Sequence, residues 1–310
     1  NKTFLPRAKD NYMIKHILKL LAAVLLICVT AGLLPAQTPP ADQNPLLRRY
    51  HEGEKLTYHM KGINEVWHYE IQADGVVIKD PAGTYYEEYR WSNLVSDNQK
   101  VVLSPATLDM RQQVTLDPNH NPSFPNLANV DTRLIGPITD MLTFYVDLWL
   151  AEKTGQLKHA GDHFYFKRGT PNSWADGNYV LLGEDSIDFD FTLKEVNQPA
   201  NTATLIIRHV PPEKPAVKLP ADWMQKPVAD TPNNWVQIQK TKDGKYLAAV
   251  GKETFDVEIK LSLTDGKILS ATLDNPLQTI ERECEDAALT KCGDSKPHPI
   301  KRQIQIALEQ

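Results

Sequence analysis

Cysteine is rare in this chain, at 3 residues in 310, and the common catalytic motifs are missing. Three cysteines cannot build a disulfide-rich scaffold or a four-cysteine zinc site. The sequence contains no G-x-S-x-G, no P-loop, no G-x-G-x-x-G and no H-E-x-x-H. Although a missing motif does not exclude an enzyme, these absences favour a protein without catalytic activity, and no cofactor is predicted.

An excess of positive charge is also lacking. The chain has 34 Lys and Arg against 39 Asp and Glu, which gives a net charge of −5. A protein that binds nucleic acid by neutralising phosphates is therefore not expected. With 41% hydrophobic residues the composition is that of a folded globular protein, and the length allows one large or two medium domains.

The first long apolar run lies near the N-terminus. Leu20–Val29 is uncharged, follows Lys15 and Lys19, and is followed by the small residues Ala31 and Ala36. A basic start, a short apolar core and a small-residue exit predict a secretory signal peptide over residues 1–36, cut after Ala31 or Ala36. We therefore expect an exported protein, periplasmic or extracellular, with no transmembrane span in the mature chain.

Two features of this leader leave alternatives. Met13 is a better start than Asn1, so residues 1–12 are interpreted as upstream sequence. Cys28 could carry a lipid, but Ile27 precedes it where a small residue is expected. Residues 37–50 are polar and contain proline, which predicts a flexible tether, and residues 51–310 are predicted to form a single β-rich domain.

Short alternating segments dominate that domain. Ser186–Leu193 alternates apolar and polar residues, which is typical of a strand with one dry face. The pairs Asp74-Gly75, Asp243-Gly244 and Asp265-Gly266 predict hairpin turns. About a dozen such strands with local connections favour a mainly β fold, an antiparallel sheet that is curved, barrel-like or folded into a sandwich.

One segment has the spacing of a helix. Between residues 137 and 153, apolar side chains recur every three or four positions. Pro137 suits the first helical position and Gly155 suits the end. Apolar residues occupy more than one side, so we expect a long buried amphipathic helix that packs on the sheet or lies in its concavity. The proline-rich segment 211–233 is predicted to be a connection, with a lid that carries Trp223 and Met224 as the alternative.

A curved antiparallel sheet with a helix in its concavity is similar in architecture to the exported bacterial lipid carriers. The similarity concerns architecture only, because no residue motif of this chain transfers a ligand site.

Cys284 and Cys292 remain after removal of the leader. An even pair in an oxidising compartment predicts a disulfide. A straight helix would hold the two residues about 12 Å apart, so the bridge requires the intervening residues to turn back. The spacing differs from the C-x-x-C of redox-active pairs, which favours a structural bond.

Two polar clusters contain residue types that metal or catalytic sites use. His159, Asp162 and His163 offer metal donors, but no further ligand is visible and Gly161 argues against a continuous helix, so a polar loop is preferred. Glu184, Asp185, Asp188 and Asp190 could bind calcium or act as an acid–base pair. Because Asp188 and Asp190 fall on one face of a predicted strand, a solvated face is preferred there, and no metal is predicted.

Three functions from different classes remain open. The first is a non-enzymatic envelope protein that binds a lipid or another amphiphile beside Met141, Tyr145 and Trp149, and it requires an apolar cavity there. The second is an exported hydrolase, which requires a cleft with two carboxyl groups about 5–10 Å apart. The third is a structural or partner-binding module, which requires an exposed apolar patch or sheet edge.

Overall fold

The alternating segments form antiparallel strands that join edge to edge in one sheet. A computed structural model describes residues 44–309 except 65, 121–124, 128–129, 171–173, 176–178, 182–186 and 218. The predicted signal peptide and the first part of the predicted tether lie outside these residues. The fold class is confirmed: the protein is mainly antiparallel β, with one long buried helix.

The elements of the described residues are as follows. The strands are β1 (Lys55–Asn64), β2 (Trp67–Lys79), β3 (Tyr85–Ser96), β4 (Gln99–Lys100), β5 (Gln112–Val114), β6 (His163–Thr170), β7 (Trp174–Ala175), β8 (Tyr179–Leu181), β9 (Ile187–Asn197), β10 (Thr202–Val210), β11 (Trp235–Lys240), β12 (Tyr246–Glu253), β13 (Phe255–Ser262), β14 (Ile268–Cys284), β15 (Lys296–Pro297) and β16 (Ile300–Leu308). The helices are α1 (Pro105–Asp109), α2 (Thr132–Thr154) and a 3₁₀ turn at Asp222–Gln225.

The long strand β14 connects two parts of the sheet. Its residues 268–274 pair with β13, and its residues 277–284 pair with β12. One part runs in the order β6-β9-β10-β13-β14-β16-β1-β2-β3-β5, and the other runs β14-β12-β11-β8-β7. The side chain of Asn275, next to Pro276, donates a hydrogen bond to Thr254 O at 2.8 Å, where β12 gives way to β13. The side-chain amide of Asn275 thus lies where the pairing partner of β14 changes from β13 to β12.

The first part of the sheet wraps around helix α2. Tyr145 contacts Glu87 on β3, and Asp147 contacts His209 on β10. These helix residues are about 3 Å apart along the axis, whereas six strand spacings, about 29 Å in a flat sheet, separate β10 from β3. Only a strongly curved sheet brings both strands to the same turn of the helix, so α2 lies in its concavity.

The predicted helix is confirmed but begins earlier than expected. Asp131 caps it, because its side chain accepts a hydrogen bond from the Arg133 backbone N–H, so Pro137 lies inside the helix instead of at its first position. The end is as predicted, since Gly155 adopts a left-handed conformation with φ of 61°. α2 is long and apolar enough to cross a membrane by composition alone, but 67% of its apolar window is buried inside the fold.

One predicted turn is wrong. Asp74 and Gly75 lie within β2, where Gly75 pairs with Leu56 on one side and Tyr89 on the other. A Cβ on Gly75 would lie 2.3 Å from Cε1 of Tyr89. The glycine is therefore needed to admit the tyrosine ring, and not to turn the chain.

The same device recurs at a second cross-strand pair. Gly62 on β1 pairs with Tyr69 on β2, and a Cβ there would lie 2.0 Å from Cε1 of that ring. The turns predicted at Asp243-Gly244 and Asp265-Gly266 do join neighbouring strands, and both glycines have positive φ, 86° and 71°.

A smaller core lies on the second part of the sheet. Met224, in the 3₁₀ turn of the proline-rich connection, is fully buried with Val236, Val250 and Cys284. The side-chain amide of Asn233 donates to Met224 O at 2.7 Å. The connection is thus packed onto the sheet instead of spanning two separate bodies.

Residues 44–50, here called the N-terminal strap, contact one end of the sheet. The sequence predicts them as the end of a flexible tether, whereas Leu46 is buried and the backbone of Arg49 donates to Asp265 O at 2.7 Å. A Cβ on Gly266 would lie 2.1 Å from Leu47 O, so strap and turn are in direct contact. An alternating-pattern argument misses this segment because its contacts are long-range.

Candidate functional site

Helix α2 carries three polar groups that reach the concave face of the sheet. In a helix of this hydrophobicity, Asp140, Tyr145 and Asp147 would be expected on the solvent side, yet all three are buried. A buried polar group is costly unless it is hydrogen-bonded or paired. Each of the three meets a partner on a different part of the sheet, and these contacts define the candidate site.

The first contact centres on the carboxylate of Glu87. Its Oε2 accepts hydrogen bonds from Tyr89, at 2.8 Å, and from Tyr145 of the helix. Its Oε1 accepts from Nε of Arg48 at 2.7 Å, and Nη2 of the same guanidinium lies 2.8 Å from Oε2 of Glu54. One carboxylate therefore joins the sheet, the helix and the N-terminal strap.

The electrostatics of this cluster follow from its burial. Burial raises the pKa of Tyr145 and Tyr89 well above its ordinary value, and the negative charge of Glu87 raises it further. Both phenols therefore stay protonated and act as donors to the carboxylate. Burial opposes the charge of Arg48, but the attraction of Glu87 and Glu54 outweighs it and raises the pKa of the guanidinium.

The second contact lies nearer the start of the helix. Oδ2 of Asp140 accepts a hydrogen bond from the Tyr69 hydroxyl at 3.0 Å, and Oδ1 forms an ion pair with Arg302 on β16. Tyr69 is the ring that packs over Gly62, so the glycine–tyrosine pair positions the donor for the helix. The equivalent pair at Gly75 positions Tyr89 for Glu87.

The third contact joins Asp147 to His209 on β10. Nε2 of the imidazole lies 2.8 and 2.9 Å from the two carboxylate oxygens. The rings of Phe189 and Phe255 flank the imidazole, with centroids at 4.7 and 5.0 Å. The pair is thus enclosed by apolar groups, where an unpaired charge would be strongly unfavourable.

The third acidic residue of the helix, Glu152, has a different environment. Glu152 is only 7% exposed, and its Oε2 has no hydrogen-bond partner among the described residues. Burial, together with repulsion from Asp117, raises the pKa of this carboxyl from 4.5 to about 8. Near neutral pH Glu152 is therefore mostly protonated, which avoids an unpaired buried charge.

The three residues predicted to bind a ligand all lie on the buried side of α2. Met141, Tyr145 and Trp149 are 1%, 0% and 6% exposed. The hydroxyl of Tyr145 donates a hydrogen bond to Glu87, and Nε1 of Trp149 donates to Asp117 O at 3.1 Å. Their side chains fill the concavity, so a ligand that used them would have to replace helix contacts.

Two cavities of the described residues lie elsewhere. One, of about 280 Å³, is on the outer face of β1, β2 and β16 and is lined by Lys61, Glu70 and Gln303 among others. The other, of about 370 Å³, lies beside residues 96–102 and Arg133 and is mostly polar. Both are open to solvent, unlike the enclosed apolar sites that hold lipids.

The donors of the two polar clusters form separate pairs in the structure. Nδ1 of His159 lies 3.5 Å from Asp162, while His163 pairs with Asp190 on β9 at 2.5 Å. Within the described ranges, no three His, Cys, Asp or Glu residues are placed to hold a metal ion.

The solvated strand face is wrong for Asp188, which is buried and accepts a hydrogen bond from Tyr165 at 3.1 Å. Tyr165 stands opposite Asp190 on the neighbouring strand β6, and its side chain reaches diagonally to Asp188 on the same face. The other two members of the acidic cluster, Glu184 and Asp185, lie outside the described residues.

Cys284 and Cys292 are bonded, with Sγ atoms 2.05 Å apart and Cα atoms 4.0 Å apart. The chain turns back between them, as the spacing argument requires, because Glu285 N donates to Lys291 O at 2.9 Å. The bond closes the edge of the smaller core, with Cys284 fully buried. It is remote in the fold from the polar contacts of α2.

No family model, no curated protein and no solved structure matches this chain in comparisons with known proteins. What the site can do is therefore inferred from its own geometry.

Sequence reasoning placed the helix but missed its partners. Glu87, Arg48, Tyr89, His209 and Arg302 belong to the site, and none stands in a recognisable motif. One available signal is that Asp140 and Asp147 interrupt an apolar helix, so that partners for them are required if the helix is buried.

Proposed function

We propose that the protein is an exported, non-enzymatic β-protein that binds a hydrophobic or amphiphilic ligand on the concave face of its sheet. The apolar cavity that the sequence analysis requires beside Met141, Tyr145 and Trp149 is filled by these buried side chains in the free protein. The proposal therefore takes a modified form, in which helix α2 occupies the ligand surface and the ligand replaces part of its contacts. The disulfide and the leader sequence support export.

One observation carries the proposal: a wide apolar concavity is covered by a helix that polar contacts hold in place. The buried inward residues come from strands across the sheet, and include Met60, Leu205, Ile259, Leu273 and Ile304. Buried ion pairs contribute little net stability, because both charges lose their hydration, but they fix the relative position of the two groups. A helix held in this way is well positioned yet less strongly bound than one with a wholly apolar interface, which suits an element that moves.

The buried carboxylates support positioning of the helix more directly than hydrolysis. Asp140 and Asp147 each contact a cation or imidazole across the helix–sheet interface. Glu87 accepts a hydrogen bond from Tyr145 across the same interface and pairs with Arg48 of the strap. The large apolar residues exposed in the described part of the chain lie at three separate places: Val66 in the β1–β2 turn, Val102 and Leu108 at α1, and Tyr165 on β6. Single exposed apolar side chains of this kind are normal on soluble proteins.

Photo-crosslinking tests the proposal. The chain from Gln37 onward, expressed in an oxidising compartment, is first tested by native mass spectrometry and solvent extraction for a co-purifying lipid. It is then incubated with a diazirine fatty acid, irradiated and digested. We expect adducts on concave residues such as Met60, Ile304 and Met141, and fewer of them when unlabelled fatty acid is in excess.

The cavity on the outer face provides the internal control. Adducts confined to Lys61, Glu70 and Gln303 would place binding on the wrong face and overturn the proposal. Failure to load any amphiphile, together with a clean apo mass, would overturn it as well.

A further inference from the structure

We propose that the N-terminal strap controls how firmly helix α2 is held in the sheet, through the carboxylate of Glu87 that both elements share. The inference concerns regulation of the proposed ligand site, so its biological meaning rests on the proposed function. The coupling itself is a property of the free protein.

The geometry of the carboxylate makes the two elements dependent on each other. Oε1 of Glu87 is taken by Arg48 of the strap, and Oε2 is taken by Tyr145 of the helix and by Tyr89. The hydroxyls of the two tyrosines lie 2.8 Å apart, so a shift of one phenol displaces the other.

Burial makes the cation indispensable. The side chains of Arg48 and Glu87 are 1% and 2% exposed, so water cannot replace either partner without entering the core. Without Arg48, the carboxylate would be buried with no cation beside it and would draw water inward. That water would compete with the hydroxyls of Tyr145 and Tyr89 for Oε2, which weakens the contact that holds helix α2.

The strap is positioned to transmit such a change. It is held to the β13–β14 turn by backbone hydrogen bonds and by the contact of Leu47 with Gly266. It also follows directly on the residues that connect to the predicted leader. A partner or force that draws the chain before residue 44 away from the sheet would withdraw Arg48 and loosen α2.

Arg49 provides a matched control on the same strap. Nη1 of its guanidinium donates to Leu263 O and Thr264 O at 3.1 Å, at the outer turn. Arg48→Met and Arg49→Met therefore remove the same charge from neighbouring positions, but only the first removes the partner of Glu87.

Hydrogen–deuterium exchange of the chain from Gln37 onward tests the coupling without any ligand. We expect Arg48→Met to accelerate exchange of the α2 amides around Tyr145 at least tenfold, with the β11–β12 hairpin unchanged. Arg49→Met removes two hydrogen bonds between the strap and the β13–β14 turn but keeps Arg48 on Glu87, so it should accelerate α2 exchange several-fold less than Arg48→Met. Arg48→Met combined with Glu87→Gln should return part of the protection, because no buried charge is then left unpaired.

Several outcomes would overturn the coupling: equal acceleration in both single variants, acceleration spread evenly over the whole chain, or no change in α2. If Arg48→Met does not fold, Arg48→Lys is used, and it should accelerate exchange in the same peptides by a smaller factor. Loading of the diazirine fatty acid is measured separately. If Arg48→Met accelerates α2 exchange but no fatty acid is loaded, the proposed function is refuted and the coupling stands. If fatty acid is loaded but α2 exchange does not change locally, the coupling is refuted and the proposed function stands.

Discussion

Replacement of Gly75 by alanine tests the packing that positions the site. The added Cβ would lie 2.3 Å from Cε1 of Tyr89, so the ring must move by about 1 Å or more to reach ordinary contact. The Tyr89 hydroxyl lies 2.8 Å from Oε2 of Glu87, and a shift of that size breaks this hydrogen bond. The substitution therefore combines steric overpacking with the loss of a buried charged hydrogen bond.

The expected cost is large. Overpacking a core typically costs about 1–3 kcal/mol, and a hydrogen bond to a charged group is worth about 1.5–3 kcal/mol. We expect the free energy of unfolding to fall by about 3–5 kcal/mol. With a urea dependence of about 3 kcal/mol/M, the midpoint of urea unfolding should fall by about 1–1.7 M.

Urea unfolding followed by tryptophan fluorescence measures this, with Gly293→Ala as the control. Gly293 is exposed, and the nearest atom to a Cβ there is the backbone oxygen of Glu283 at 3.7 Å, so alanine should change the free energy of unfolding by less than about 0.5 kcal/mol. Tyr89→Leu removes the clashing ring, so the double variant with Gly75→Ala should cost no more than Tyr89→Leu alone. A loss below about 1 kcal/mol for Gly75→Ala, or strict additivity in the double variant, would refute the reasoning.

Three further predictions concern other contacts of the described residues. Replacing Cys284 and Cys292 by serine should lower the free energy of unfolding by about 2.5 kcal/mol, because the bond closes a short loop, and an unchanged urea midpoint would contradict this. The carboxyl of Glu152, with its pKa raised by burial from 4.5 to about 8, binds its proton more tightly in the folded state. The wild type should therefore lose stability relative to Glu152→Gln as the pH rises from 4.5 to 8, by at most about 1.4 kcal/mol per pH unit, and a constant difference in unfolding free energy over this range would count against it. His209→Ala should cost about 3–5 kcal/mol by leaving Asp147 buried and unpaired, and adding Asp147→Leu should recover part of that loss in the same urea assay.

The candidate site shows how far a sequence can lead. The apolar spacing located helix α2, and Asp140 and Asp147 within it marked positions that need partners if the helix is buried. Their partners stayed hidden because Arg302 and His209 follow them by more than 60 residues in the chain. Glycine at position 75 was misinterpreted for a related reason: a turn and a close ring contact favour the same residue, and only the cross-strand partner distinguishes them.

The sequence by itself determined the local features of this protein: alternating strands, the turns at Gly244 and Gly266, the buried helix that ends at Gly155, and a pair of cysteines at a spacing that forces the chain to turn back. These depend on backbone conformation and on neighbours within a few residues, which composition and periodicity record. Only the tertiary structure decided that strands as distant as β3 and β10 meet one turn of the helix, and that Arg48 shares Glu87 with Tyr145. The physical reason is that the register and curvature of the sheet set these long-range contacts, and no local pattern encodes either.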